Sequence, residues 1–254
     1  MSEPTFPFTT DERFYQRFTL ETFSQAPKAT GIYAWYAQLN AGIKDWELDI
    51  VDGNDAGTNR LRNLLKRHTD RYCLRELETT ASGSFSQNWT GQLKDNTAKI
   101  LQDTLSTSGN DQEENSYDQK RAPKLQASLE SRDARLLMVK ALELAMPVLS
   151  APIYVGVASC LNTRLSQHVN EINKLSSAAN DNPEVRETLR EKRKSNFAAR
   201  AVASGFTPES LQVWTCNLDL LVEDLESQSQ DARTVAEAVE WLLNRWHRPY
   251  LGRR

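Results

Sequence analysis

The sequence predicts a mixed α/β protein in which a small sheet is flanked by helices. Three short runs rich in β-branched and aromatic residues, at 30–36, 151–157 and 211–216, predict strands. Apolar residues recur at helical spacing after the last two runs, at 161–175 and 232–246. A chain of 254 residues, of which 39% are apolar, is long enough to bury the core of such a layered fold.

Composition narrows the class of protein. The three cysteines are widely spaced and form no CxxC pair, which argues against a disulfide framework and a zinc knuckle. The acidic N-terminus lacks the apolar stretch of a signal peptide, and the most apolar window, 136–158, is interrupted by Lys140, Glu143 and Pro147. We therefore expect a cytoplasmic protein without a membrane span. A net charge of −3 argues against a basic coat for nucleic-acid binding but leaves room for a local basic groove.

Four weaker patterns lie between the first two predicted strands. Residues 48–51 suit a short strand, and 59–77 suit an amphipathic basic helix whose charges are those of a solvated face or a nucleic-acid contact. Residues 103–118 hold five acids and no bases, which predicts a loop or a disordered crossing. Residues 131–145 predict a helix that ends at Pro147.

Two further segments complete the pattern toward the C-terminus. Residues 183–200 are charged and helical in spacing, and 219–231 read as an acidic connection. In the last helix the predicted apolar face consists of Val235, Val239, Leu242 and Trp246.

One constellation of residues points to chemistry. Its parts are Gly31-Ile32-Tyr33, Tyr154-Val155-Gly156, Arg164, His168 and Glu240. Arg164 lies ten residues after Tyr154, His168 lies four residues further on, and Glu240 lies nine residues before Pro249. In order and spacing these residues resemble the GIY-YIG nuclease superfamily.

The resemblance implies a fold, an activity and roles. It implies that two antiparallel strands carry the tripeptides, and that the chain cleaves DNA as an endonuclease with Mg²⁺ or Mn²⁺. Glu240 would hold the ion, and Arg164 would contact the scissile phosphate and lower the pKa of a nearby tyrosine. Tyr33 would be the general base with His168 relaying its proton, and Tyr154 would position water or phosphate, although the roles of the tyrosines are interchangeable.

Helical spacing is consistent with these assignments. Arg164 and His168 are separated by four residues and so share one helix face. Glu240 falls on the side of Ala236 and Leu243 and should border the core, whereas Glu237 should face water. A half-buried carboxylate requires a partner or a metal ion.

The sequence departs from the family's pattern in three places. Val157 replaces a lysine that often follows the second tripeptide, which removes a phosphate contact. Gly252 replaces an asparagine that often lies three residues after the proline, which removes an orienting amide. The two tripeptides are also far apart, so we expect an N-terminal extension at 1–27, a discontinuous nuclease domain at 28–50 and 148–254, and a mainly helical insertion at 51–147.

The expected partner is DNA, with RNA as the alternative. Candidate nucleic-acid-binding residues are Arg190, Lys192, Arg193, Lys194 and Arg248, for which a solvated helix face is the alternative. The insertion would recognise a DNA sequence or structure, a protein partner or a second copy of the chain. Restriction or anti-phage defence is the expected role, and repair or recombination is the second.

Two rival interpretations differ in class. A degenerate member of the family would bind nucleic acid or a protein without cutting, which Val157 and Gly252 favour. A chance match in a helical interaction protein predicts that Tyr33 and Tyr154 lie far apart in the fold.

Two tryptophans of the last predicted helix, Trp241 and Trp246, are expected to pack in the core.

Overall fold

The computed structural model describes residues 14–51, 53–72, 78–85, 87–94, 122–191, 196–224, 231–247, 249 and 251–252. The predicted loop at 103–118 lies outside these ranges, as do Lys192, Arg193, Lys194 and Arg248 and the side chain of Arg190. The nucleic-acid-binding role of these five residues therefore stays a prediction.

The elements follow one another along the chain as strands and helices of mixed length. In order they are β1 (Tyr15–Thr19), β2 (Gly31–Ala37), α1 (Ile43–Trp46), β3 (Ile50–Val51), β4 (Asn54–Asp55), α2 (Ala56–Tyr72), β5 (Glu78–Phe85), β6 (Gln87–Lys94), α3 (Ala122–Glu130), α4 (Arg132–Leu149), β7 (Tyr154–Ala158), α5 (Leu161–Asp181), α6 (Pro183–Glu191), α7 (Phe197–Ala203), β8 (Leu211–Asn217), α8 (Leu218–Asp224) and α9 (Ala232–His247). None of the described helices combines the length and apolar content that a bilayer crossing requires.

The chain divides into two compact units. Unit 1 comprises Met1–Gln38 and Met146–Arg254, and unit 2 comprises Leu39–Ala145. The division predicted from the sequence, at 50 and 147, separated a nuclease domain from an insertion, and compactness alone does not test that functional assignment.

Unit 1 is organised around a four-stranded antiparallel sheet in the order β1-β8-β2-β7. The mixed α/β class and the small antiparallel sheet are thus confirmed, and the three predicted strands correspond to β2, β7 and β8. The N-terminal segment was predicted as an extension, and it contributes the edge strand β1, which pairs with β8. In β2, Tyr33 lies opposite Gly156 and Trp35 lies opposite Tyr154.

One face of the sheet packs against α9. Ile32 and Val155 form a buried cluster with Ala236, to which Val239 and Leu243 add their side chains. The apolar face predicted for the last helix is therefore wrong in part, because Val235 and Trp246 are exposed. Small alanines lie nearest the sheet instead, which allows the helix to approach the strands closely.

The other face of the sheet packs against α5 and α7. Tyr33 and Trp35 alternate with the residues that face α9 and so point to this side. The ring of Phe197, from α7, stacks on Trp35 at 5.4 Å and on Tyr154 at 4.7 Å between ring centroids. This face therefore holds most of the aromatic side chains of the sheet.

Gly31 allows a close approach at the start of β2. A Cβ atom there would lie 2.2 Å from the carbonyl oxygen of Cys216 and 2.8 Å from Cδ1 of Leu161. Any larger residue would push β2 away from both β8 and α5, so the first glycine of the constellation has a packing role.

Several predicted helix limits require correction. Helix α4 continues through Pro147 to Leu149, since a proline in the last turn removes a single backbone hydrogen bond. Helix α5 extends to Asp181, and the predicted acidic connection begins with a short helix, α8. The charged stretch at 183–200 contains helix α6 and the first four residues of α7. Trp241 and Trp246 are 59% and 68% exposed, so the core packing expected of them is wrong.

Unit 2 combines helices with two antiparallel hairpins, β3-β4 and β5-β6. Unit 2 contains the arginine Arg135, whose side chain is fully buried. Arg135 pairs with Asp55, and its Nε donates a hydrogen bond to the carbonyl of Leu129 at 2.6 Å. The hydrogen bond from Arg135 holds the pKa of Asp55 well below its usual range. Unit 2 thus contains a buried ion pair as well as an apolar core.

Candidate active site

The two tripeptides meet where Tyr33 crosses Gly156. The strands that carry them are neighbours, and these two residues are directly paired. A Cβ atom at Gly156 would lie 2.6 Å from Oη of Tyr33 and 2.9 Å from Cε1 of Tyr154. The phenol ring therefore lies across the backbone of β7, and only glycine leaves room for it.

A hydrogen-bonded cluster forms around the hydroxyl of Tyr33. Its Oη lies 2.9 Å from Nε2 of His168, and Nε of Arg164 donates to the same oxygen at 3.4 Å. The spacing of four residues places both partners on one face of α5, as the sequence predicts. Tyr33 is 1% and His168 is 3% exposed, whereas Arg164 is exposed, so the cluster connects two buried side chains to the surface.

Tyr154 completes the group from the edge strand β7. Its ring centroid lies 6.1 Å from that of Tyr33 and 6.1 Å from that of His168. The two tyrosines are thus close together, which is the opposite of the separation that a chance match predicts. Four of the five predicted site residues, Tyr33, Tyr154, Arg164 and His168, are brought to one place.

Burial determines the protonation of the central tyrosine. Burial raises the pKa of Tyr33 above its usual value, and the neighbouring Tyr154 raises it further. The hydrogen bond and charge of Arg164 act in the opposite direction but are outweighed. Arg164 therefore lowers the pKa of Tyr33, as expected, but burial outweighs this effect and Tyr33 keeps its proton at neutral pH.

His168 is neutral at the same pH. Burial lowers its pKa to about 3, and the positive charges of Arg164 and Arg200 contribute to that shift. A neutral imidazole has one ring nitrogen that accepts a hydrogen bond. Because Tyr33 accepts from Arg164 and retains its own proton, it can donate that proton to Nε2 of His168.

Arg200 is a site residue that sequence reasoning missed. Its guanidinium carbon lies 5.9 Å from the ring centroid of Tyr154, and its Nε donates to the carbonyl of Leu251 at 2.9 Å. The amide of Leu251 in turn donates to the carbonyl of Ile153, the residue before Tyr154. In the sequence Arg200 belongs to a basic run, and no spacing rule links it to residue 154 or 251.

Glu240 is placed differently from the other four residues. It lies on α9, which packs on the face of the sheet opposite Tyr33. It is half-buried, whereas Glu237 is exposed and pairs with Arg233 at 2.7 Å, so the predicted burial of both glutamates is observed. Since β7 is the edge strand, a side chain from α9 reaches the tyrosines only by passing that edge.

The two positions at which an expected lysine and asparagine are replaced, Val157 and Gly252, have distinct structural settings. Val157 packs toward α9, on the side of β7 opposite Tyr154, so the first atoms of any side chain at 157 point away from the phenols. A Cβ atom at Gly252 would lie 3.6 Å from Oδ1 of Asn244, whose Nδ2 donates to the carbonyl of Glu240 at 3.0 Å. An amide side chain is thus present beside position 252, supplied by α9.

A metal site at Glu240 stays a prediction. Among the residues that the structure describes, no three His, Cys, Asp or Glu side chains come together to hold a metal ion. Mg²⁺ and Mn²⁺ accept one or two carboxylates and retain several waters, so a single half-buried carboxylate is chemically compatible with such an ion. Comparison of the chain with protein-family models, with curated proteins and with solved structures found no match in any of the three.

Proposed function

We propose that this chain is a metal-dependent endonuclease of the GIY-YIG type that hydrolyses DNA phosphodiester bonds. The observation that carries the proposal is the cluster in which Tyr33 bonds His168 and the exposed Arg164 while lying across Gly156. Such a cluster combines a proton acceptor, a hydroxyl that transfers protons and a fixed positive charge. Water needs these three kinds of group to attack a phosphodiester.

The proton path follows from the protonation states. Tyr33 is a phenol and His168 is neutral, so the attacking water gives a proton to Oη of Tyr33 as the phenol proton moves to Nε2 of His168. The water oxygen forms the new bond to phosphorus, and the bond to the leaving sugar oxygen breaks. That oxygen takes a proton from solvent and His168 afterwards returns one proton to solvent, which balances the reaction.

The two arginines make this path dependent on substrate. An imidazolium at His168 is unfavourable because the side chain is buried and because Arg164 and Arg200 carry positive charge, and both effects lower its pKa. A phosphate bound at Arg164 brings negative charge to the cluster and offsets that repulsion. His168 therefore becomes a useful base when substrate is present.

Glu240 is the residue that would hold the ion, Mg²⁺ or Mn²⁺. When bound, such an ion stabilises negative charge on the phosphate and lowers the pKa of a coordinated water. Carboxylate oxygens are ligands that these ions prefer, and Glu240 is half-buried.

The biological role proposed first is restriction or anti-phage defence, and the second is repair or recombination. The basic residues at 190–194 and 248 would track the phosphate backbone, and unit 2 would contribute recognition. Both roles rest on analogy with the superfamily.

A non-cleaving module that binds nucleic acid or protein is the alternative. The observation that favours it is the 1% exposure of Tyr33, because very little of this residue is open to water in this conformation. The location of Glu240 on α9 favours it as well, because that helix packs on the other face of the sheet.

Cleavage assays separate the two functions. Plasmid DNA, single-stranded DNA and RNA are each incubated with the wild type and Mg²⁺ or Mn²⁺, and then with EDTA. The variants are Tyr33→Phe and Glu240→Gln, with Glu237→Gln as the matched control on the same helix. The nuclease proposal is supported if the wild type and Glu237→Gln cut DNA and if Tyr33→Phe and Glu240→Gln cut it about 100-fold more slowly or less. DNA binding by all four proteins without cutting refutes it in favour of the module.

A further inference from the structure

We propose that a cleft between α5, α6 and the chain that follows α7 binds the oxyanion of a small ligand. The cleft has a volume of about 280 Å³. Its polar walls and one aromatic wall come from Asn173, Ser176, Asn180, Arg186, Phe206 and Glu209, and we refer to it as the Arg186 cleft. This site is additional to the proposed nuclease centre and does not depend on it.

Two residues that line the cleft each carry a buried polar atom without a hydrogen-bond partner. These atoms are Oγ of Ser176 and Nε of Arg186, and neither bonds to any group within the described part of the chain. Buried polar atoms are normally satisfied, so two unsatisfied atoms beside one cleft indicate an acceptor that the described residues do not supply. A carboxylate or phosphate oxygen matches the fork of a guanidinium, and a serine hydroxyl can turn toward the same group.

The remaining residues of the cleft indicate which groups the ligand carries away from its oxyanion. Asn173 and Asn180 are seven residues apart on α5, so their amides lie two turns apart on one side of the helix. Glu209 lines the cleft, and among the described residues it forms no ion pair with Arg186. A carboxylate there favours a ligand that carries N–H or O–H donors away from its oxyanion.

Size and position set the class of ligand. The volume lies at the small end of the ~300–1,000 Å³ of ordinary ligand pockets, so the cleft suits an amino acid or a small phosphate ester. Ser176 lies eight residues beyond His168 on α5, which at 1.5 Å per residue is about 12 Å. A ligand in the cleft therefore remains separate from Tyr33.

Calorimetric titration of the full chain tests the proposal. The probes are inorganic phosphate, glycine, acetate and deoxyadenosine monophosphate, so that phosphate and carboxylate sources are distinguished. The variants are Arg186→Gln and Ser176→Ala, and Lys174→Gln is the matched control, because Lys174 is exposed on the same helix and does not line the cleft. We expect saturable binding of at least one probe by the wild type and Lys174→Gln. In Arg186→Gln the affinity should fall by about 10-fold or more.

The negative outcomes are equally defined. Failure of every probe to saturate the wild type overturns the proposal, as does equal affinity in the wild type, Arg186→Gln and Ser176→Ala. If Arg186→Gln does not fold, Ser176→Ala provides the deciding comparison. Tyr33→Phe should bind the probe as the wild type does, so loss of the nuclease function would leave this result unchanged.

Discussion

Replacing Gly156 with alanine tests the crossing of Tyr33 over β7. The new Cβ atom would lie 2.6 Å from Oη of Tyr33, so the ring must move by about 0.8 Å to reach an ordinary contact of 3.4 Å. Tyr33 is 1% exposed and has no space into which it can move freely. Overpacking of this kind costs about 1–3 kcal/mol. Stretching the 2.9 Å contact with His168 adds about 1 kcal/mol.

These terms together give a loss of about 2–4 kcal/mol in the free energy of unfolding. For a chain of this size that corresponds to a fall in Tm of roughly 5–15 °C, which circular dichroism measures. A displacement of about 1 Å should also reduce plasmid cleavage about 100-fold. Both effects share one cause, so they should appear together.

Gly42→Ala is the matched control. Gly42 has a φ of −79°, and its added Cβ atom would lie 3.6 Å from the nearest atom, Oδ2 of Asp45. Its unfolding free energy should change by no more than about 1 kcal/mol. If Gly156→Ala has the Tm and the cleavage rate of the wild type, Tyr33 does not lie across Gly156 and the site geometry is refuted.

Three further predictions concern other contacts. The pKa of His168 is lowered by burial to about 3, below its usual value. The contribution of His168 to the free energy of unfolding is therefore complete above about pH 6.5. It is lost as the pH falls toward 3, by up to about 1.4 kcal/mol per pH unit. Urea unfolding of His168→Gln should show a flatter pH dependence, and an unchanged slope would contradict the burial argument. Arg200→Lys keeps the charge but loses the Nε donor to Leu251, so hydrogen exchange at the amide of Leu251 should accelerate, whereas unaltered protection would show that the contact is unimportant. Arg135→Met leaves Asp55 without its buried partner and should cost about 3–5 kcal/mol in urea unfolding; a cost under about 1 kcal/mol would refute the buried pair.

The sequence predicted the part of the fold that is locally encoded. Strands β2, β7 and β8 are dense in β-branched and aromatic residues, and α5 begins at the predicted residue, Leu161. Strand β1 was missed because it is an edge strand in which only Phe18 is buried, so it lacks the alternation that indicates a half-buried strand. The hairpin β5-β6 was missed as well.

The candidate site was predictable to the extent that spacing encodes it. Four residues on β2, β7 and α5 come together as predicted, since pairing and helical periodicity fix their relative positions. The pKa of Tyr33 was not predictable, because its burial depends on tertiary packing against Tyr154 and His168, the extent of which strand and helix patterns do not give. Arg200 was not predictable for a related reason, since its position depends on a contact with the C-terminal segment.

The pairing of β2 with β7 has a consequence for how the molecule is made. More than a hundred residues separate Ala37 from Tyr154, although adjacent antiparallel strands need only a short turn between them. Closing such a loop costs about 2 kcal/mol more than closing one of ten residues. A nascent chain that has emerged only through β6 carries Tyr33 but lacks Gly156, Arg164 and His168. The proposed nuclease centre therefore cannot assemble during synthesis until unit 2, β7 and α5 have all been synthesised after β2.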